Sequence, residues 1–190
     1  FEKLIRVEKL PLRLMIVSSM RIENYAARET EADAAWALEK IAANSDWIKY
    51  YPELPNPETL ALMRQADVGL LPSYADSYGF SVLEFQACGL PVITTDIRAL
   101  PEINNSAVGW LIKVPRSTLG EALYETAEER KQLSSAISNG LEQIVRGIAA
   151  APAQIAVKGA AALERLRREH DPAVYADVLR QVYLPALRKT

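Results

Sequence analysis

The sequence predicts an α/β fold, a parallel sheet covered by helices on both faces and followed by a helical carboxy-terminal tail. Two observations predict it. Short, continuous apolar runs recur along roughly the first 115 positions, each followed by a segment of helical periodicity. Strands buried on both faces read this way, whereas a strand with one wet face alternates apolar and polar residues. Beyond that point the strand signal stops and helical spacing continues to the end. With 190 residues and 49% hydrophobic content, one domain can bury a sizeable core. The expected organisation is a Rossmann-like core over residues 1–115 and a helical extension of the same domain over 116–190.

Each element has its own warrant. Phe1, Leu4 and Ile5 fall at helical spacing, and Leu12–Val17 (LRLMIV) reads as the first strand. The alanine-rich stretch Ala32–Ala43 carries Trp36, Leu38 and Ile41 and reads as helix; Trp47–Tyr51 reads as strand. Pro57 opens a short helix to Gln65, because a proline in the first turn forfeits an amide that has no partner anyway. Val68–Leu71, Val92–Thr95 and Val108–Ile112 are the remaining strands. Between the first two of these lies a helix over Tyr78–Cys88, stopped by Gly89 and followed by Pro91. The tail divides into helical segments at 116–148, 152–168 and 171–187, broken at Ala151-Pro152 and Asp171-Pro172, with Gly140 a further point of division. Leu133, Ile137, Leu141, Ile144 and Ile148 form one core-facing stripe, and Ile155, Ala162, Leu163 and Leu166 another. Val174, Val178, Leu179 and Val182 share one side of the last segment.

Composition excludes several classes. A net charge of −2 gives no footprint for nucleic acid or an acidic membrane surface. The single cysteine, Cys88, excludes an intrachain disulfide and fits a reducing, cytoplasmic setting. No apolar run approaches the roughly 20 residues of a transmembrane helix. Phe1 stands where an initiating methionine belongs, and FEKLIRVEKL reads as the middle of a chain, so a fragment of a longer protein is expected. No HExxH, paired CxxC or paired-histidine pattern occurs, so no metal site is expected. The absence of GxxxxGK[ST] and GxGxxG counts against nucleoside triphosphatases and dehydrogenases. Cys88 reads as a small apolar residue, and His170, in REHDP, has no Ser or Cys motif to serve. Arg165, Arg167 and Arg168 read as a solvated face.

The informative stretch is Leu70–Glu102, LLPSYADSYGFSVLEFQACGLPVITTDIRALPE. Asp76 and Ser77 lie where the chain leaves a strand and enters a helix, and either can cap it. Gly79 in the first turn leaves the amides open to a ligand, and amides at a helix mouth favour phosphate. Ser77, Ser81, Glu84 and Cys88 form one helical stripe, with Phe80, Leu83 and Ala87 on the expected core face. Glu84 then projects sideways, where its carboxylate can accept from a vicinal diol such as a ribose; such a charged hydrogen bond is worth about 1.5–3 kcal/mol. Pro101-Glu102 follows the next strand at the same edge, the one where open α/β sheets bind ligands.

These residues resemble the carboxy-terminal donor-binding domain of GT-B glycosyltransferases, specifically the retaining group called glycosyltransferase family 4. The resemblance rests on Pro72-Ser73 after a strand, Asp76, Tyr78-Gly79, Glu84 eight positions after Asp76, and Gly89-Leu90-Pro91-Val92, followed by ALPEI and VGWLI. It spans about Phe1 to Val114. It implies a nucleotide-diphospho-sugar donor as substrate, no cofactor and no bound metal, and transfer with retention of configuration in polysaccharide-type biosynthesis. By resemblance Asp76 would bond the donor hexose and Glu84 the ribose. The backbone of Ser77, Tyr78, Gly79 and Phe80 would line the sugar and diphosphate, and the loop from Tyr51 to Leu54 would form the nucleobase edge. The acceptor would be held by an amino-terminal domain that lies outside these residues, so this part alone is expected to transfer little.

The chain departs from the family pattern in four places. Asp76 stands where Glu is usual, withdrawing the oxygens by about 1.5 Å, one C–C bond. The early Gly-Arg and Lys-Gly segment that grips the diphosphate would lie before Phe1, and Ser18-Ser19-Met20 replaces a frequent Gly-x-Gly. Arg98-Ala99 replaces a Gly-Gly, which narrows backbone access to the diphosphate. The acceptor domain is the fourth. These departures keep a second reading open, a non-catalytic module that senses nucleotide-sugars or docks a partner. A sugar-nucleotide epimerase of related architecture ranks last.

Overall fold

All five apolar runs expected as strands become strands, trimmed at their amino ends in four cases. The computed structural model describes residues 1–22 and 25–187. Its strands are β1 (Leu14–Val17), β2 (Ile48–Tyr51), β3 (Gly69–Leu71), β4 (Val92–Thr95) and β5 (Gly109–Ile112). β1 and β2 pair in parallel with Leu14 opposite Ile48. β3, β4 and β5 form a second parallel sheet in that order, with Gly69 opposite Val92 and Val92 opposite Gly109. Parallel strands need crossovers, and helices supply them. They are α2 (Glu31–Ala43), α3 (Asn56–Met63), α4 (Phe80–Ala87) and α5 (Leu100–Ile103), after an initial α1 (Glu2–Arg6).

β4 is central, and all four of its residues are buried. It has a strand on each side. Val92 and Ile93 pack with Val82, Ile97, Leu100, Ile103 and Ile112, and with Leu4 from α1. Asn104 fastens this layer: its Nδ2 donates to the Val92 carbonyl, the Thr94 hydroxyl and the Trp110 carbonyl. Such bonding is what allows a side-chain amide in an apolar core.

The tail is helical but begins later than its spacing suggests. Residues 116–126 form a turn, because Arg116 bridges antiparallel to Ala122, the Leu123 amide donates to the Pro115 carbonyl at 3.0 Å, and Gly120 takes φ +81°. Helix α6 (Ala127–Ala150) starts only where Thr126 caps it in a reciprocal box with Glu129. Gly140 does not divide it. A Cβ at that position would sit 2.6 Å from Ile112 Cγ2, so the glycine instead lets α6 lie directly on β5. Leu133 and Ile137 of the expected stripe are buried, and Leu141, Ile144 and Ile148 pack at its margin. Helices α7 (Ala153–Glu169) and α8 (Pro172–Leu187) complete the chain. Ala162 of α7 is fully buried, whereas Val174, Val178, Leu179 and Val182 of α8 stay exposed.

Candidate donor site at the carboxyl edge

Parallel strands deliver their following loops to one edge of a sheet, so the loops after β3, β4 and β5 share that edge. The loop after β3 is pinned there: the Thr95 hydroxyl of β4 donates to the Ser73 carbonyl at 2.7 Å, and the Ser73 hydroxyl donates to the Ala75 carbonyl at 2.8 Å. Asp76 follows, half-buried, its Oδ1 accepting from the Tyr78 amide at 3.0 Å.

This local turn corrects two expectations. Neither Asp76 nor Ser77 caps the helix. The N-cap is Gly79, in the left-handed region at φ +87°, and no side chain caps α4. Tyr78 therefore lies before the helix, and the amides of its first turn begin at Phe80 without a side-chain partner. An added Cβ on Gly79 would meet Leu100 Cδ2 at 2.6 Å and Ile103 Cδ1 at 3.0 Å, so the mouth of α4 rests against α5. Of the expected core face of α4, only Leu83 packs against the core. Val82 and Gln86 are buried, while Phe80 is 71% exposed and Ala87 is exposed as well. Gln86 tolerates burial because its Nε2 donates to the Ile103 carbonyl at 2.8 Å. Phe80 instead leans on Tyr78, with ring centroids 5.2 Å apart.

Glu84 stands half-buried on the flank of α4, as its place in the stripe predicted. Its Oε1 accepts from Asn56 Nδ2 at 3.1 Å. Asn56 opens α3, immediately after the β2–α3 loop with Leu54; Leu54 and Tyr51, the last residue of β2, are both half-buried. The structure thus joins Glu84 to the start of α3, and Asp76 to the backbone before α4. No hydrogen bond joins Asp76 to Glu84 among the described residues. Asn56 escaped the sequence reading, which took only Pro57 as a helix start. Cys88 ends the stripe with its thiol 3.8 Å from the Leu60 carbonyl of α3.

Charge gathers next door. The Asp96 carboxylate, buried at the end of β4, accepts from the Val114 amide at 3.1 Å and meets Lys113 at 3.1 Å and Arg116 at 3.4 Å. Two residues on, Arg98 Nε donates to Glu121 at 2.6 Å and its Nη2 to the Tyr25 hydroxyl at 3.0 Å. The Tyr124 hydroxyl, 3.4 Å away, and the Arg98 guanidinium together hold the Tyr25 hydroxyl below its usual pKa. Arg28 adds a contact to Glu125 at 3.3 Å, so the β1–α2 loop is tied to the β4–α5 and β5–α6 loops. Two cavities lie elsewhere: one of about 420 Å³ between α7 and Asn105–Val108, another of about 320 Å³ between β5 and α6, with Lys113 on its lining. Neither contains a residue of the candidate site. Among the described residues no cluster of three or more His, Cys, Asp or Glu side chains is placed to hold a metal. No helix among them is long and apolar enough to cross a membrane.

The chain is 32% identical over 105 residues to the D-inositol 3-phosphate glycosyltransferase of Arthrobacter sp. (strain FB24), a match covering 53% of this chain and 25% of that protein. It thus spans about a quarter of the curated relatives it matches first. Among solved structures, the sucrose-phosphate synthase of Thermosynechococcus elongatus superposes with TM-score 0.63 at 20% identity, covering the whole chain and 42% of the synthase. Anabaena HepE in complex with UDP-glucose gives TM-score 0.52 at 16% identity, covering the whole chain and 52% of that protein. These likenesses bear out the expected fold, a Rossmann-like GT-B domain with a helical carboxy-terminal region. A family model described as glycosyl transferases group 1 matches residues 13–143, more than half of the chain. The chain belongs to the glycosyl transferases group 1.

Proposed function

We propose that this domain binds a nucleotide-diphospho-sugar and presents it for transfer to an acceptor with retention of anomeric configuration. Glu84 accepts from the donor's ribose, and Asp76 from its hexose. The backbone of Ser77 to Phe80 lines the diphosphate, and Tyr51 to Leu54 border the base. The anomeric carbon–oxygen bond to the diphosphate breaks and a bond to an acceptor oxygen forms on the same face. Fixed amides and the positive end of α4 stabilise the charge that develops on the departing diphosphate. The acceptor is held by an amino-terminal domain outside residues 1–190, so these residues alone transfer little. The reaction needs no bound metal. A cytoplasmic setting, which keeps Cys88 reduced, belongs to the same reading.

One observation carries the assignment. Glu84 reaches across to Asn56 at the end of the β2–α3 loop, while α4 starts at a glycine with no side-chain cap. In this reading the Glu84 carboxylate, the uncapped first turn of α4 and the residues before Asn56 serve one donor molecule. The HepE structure with UDP-glucose supports a donor of this chemical class. The test is calorimetric titration of the full-length protein with UDP-, GDP- and ADP-sugars. One class binds, and Glu84→Gln weakens it by roughly tenfold or more, the worth of a charged hydrogen bond. Failure of every donor to bind, or unchanged affinity in Glu84→Gln, rejects the reading.

A second reading, a sensing or docking module without turnover, draws on the turn before α5. There the Arg98 amide donates to the Gly120 carbonyl at 2.9 Å and is closed to a phosphate. Donor binding without transfer to any acceptor, in the full-length protein, distinguishes it.

A further inference from the structure

Arg98 holds φ +45°, a left-handed conformation that glycine adopts freely and arginine does not. It does so between Ile97 and Leu100, both completely buried, so the turn has no room to relax. Strain of this kind persists where the surroundings over-determine it and clusters at ligand-binding positions. Its consequence here is the direction of a side chain. The Arg98 amide is engaged by Gly120, so the guanidinium is what this residue can offer a ligand.

That guanidinium is oriented but not saturated. Glu121 holds Nε at 2.6 Å, which leaves the edge formed by Nη1 and Nη2 facing away from the carboxylate. Along that edge the Tyr25 hydroxyl, a neutral acceptor, takes one Nη2 hydrogen at 3.0 Å. Of the five N–H groups of an arginine, three then lack a partner among the described residues. The neighbouring acid does not compete, since Asp96 is already met by Lys113 and Arg116. The turn also lies beside the amino-terminal end of α4, because Gly79 packs against Leu100 and Ile103 just downstream of Arg98.

The geometry points to Arg98 as a donor-binding residue: its Nη1–Nη2 edge takes the diphosphate in a bidentate grip, displacing Tyr25 and keeping Glu121 as its anchor. A planar fork suits two phosphate oxygens where an ammonium would offer a point charge. The inference rests on the donor-binding reading given above. It assigns the diphosphate contact to a side chain at the position where the strained backbone no longer offers its amide.

The test uses the full-length protein with Arg98→Gly and Arg98→Lys, titrated with nucleoside, nucleoside diphosphate and nucleotide-sugar of the base the wild type accepts. Thermal unfolding is followed in parallel. Arg98→Gly relieves the left-handed strain while removing the guanidinium. It is expected to keep or raise the melting temperature, leave nucleoside affinity unchanged and lose roughly tenfold or more for the diphosphate-bearing ligands. Arg98→Lys is expected to recover part of that loss. Equal diphosphate affinity in wild type and Arg98→Gly overturns the assignment while leaving the donor-binding reading intact. So does a uniform loss for all three ligands accompanied by a lower melting temperature, which marks a structural role. No binding of any nucleotide-sugar by the wild type removes both.

Discussion

The half of the molecule built on β3, β4 and β5 and the half built on β1 and β2 come from similarly apolar strands, yet they are buried very differently. Every residue of β4 is buried, and no residue of β1 is. Helix α4 buries Val82 and Gln86, whereas α2 buries nothing and leaves Trp36 62% exposed. No residue of β1, α2, β2 or α3 belongs to the main apolar cluster, which gathers around β4 and β5 with α4, α5, α6 and Leu4. The β1–β2 half is joined to the rest chiefly by polar contacts: Arg6 to Asp46, Asn56 to Glu84, Arg98 to Tyr25 and Arg28 to Glu125. The difference teaches where each task sits. A close-packed half fixes the positions of Asp76, Glu84 and Arg98, and the seam beside it is held by polar contacts, which open more readily than apolar packing does.

Truncating the packed half should cost most. Leu133→Ala and Ile97→Ala, both fully buried, are each expected to destabilise by about 2–5 kcal/mol in urea unfolding. Ile16→Ala in half-buried β1 is expected to cost about 1 kcal/mol or less. Equal costs would break the comparison. Next comes Asn104→Ala, which strands three acceptors beside β4 and should cost about 1–3 kcal/mol by the same measurement.

The two capping boxes sharpen the contrast at a smaller scale. Thr126→Ala at the start of α6 should lower global stability by about 1 kcal/mol, because α6 carries Leu133, Ile137 and Val145 of the core. Thr30→Ala at the start of α2 should instead show as faster amide exchange confined to α2, with the unfolding midpoint unmoved, because α2 buries no residue. A shifted midpoint for Thr30→Ala would mean that the two halves unfold as one tightly coupled unit.

The smallest effect concerns pH. Arg146 foremost holds the Glu8 carboxyl below its ordinary value of 4.5, and Lys3 foremost, with Arg146, does so for Glu142. Folded values below unfolded ones mean that this ion cluster between α1 and α6 contributes stability above the ordinary value and loses it as pH falls through the folded values. The melting-temperature difference between wild type and Arg146→Met should therefore stay level from about pH 7 to about 5, close at lower pH, and shrink in molar salt. A difference independent of pH would show that Arg146 acts through its aliphatic stem.

Much of the architecture was legible. β4 was read residue for residue, because Gly89 and Pro91 bracket its start and its run of apolar and β-branched residues needs no partner to be recognised. The delayed start of α6 was also written locally, in the Thr126…Glu129 box, but the apolar spacing upstream outweighed it. The inward face of α4 was legible only at Leu83. Phe80 is a natural core candidate, yet it stays exposed at the first helical position while Val82 and Gln86 take the core side. Glu84 could be placed on a flank by periodicity, but its partner Asn56 lies 28 residues earlier, beyond any local signal.

Local chain chemistry by itself determined the five strands, the order of helix and strand, and the two carboxylates eight positions apart. Those features depend on dihedral preference and hydrophobic period, which act over a few residues. Only the tertiary structure decided that α8 leaves its apolar side exposed and that Asn56 meets Glu84. It alone turned the Arg98 guanidinium toward Tyr25, 73 residues away, with Glu121 as its anchor. Contacts of that kind form when packing brings distant loops to one sheet edge, and no short stretch of sequence contains both partners.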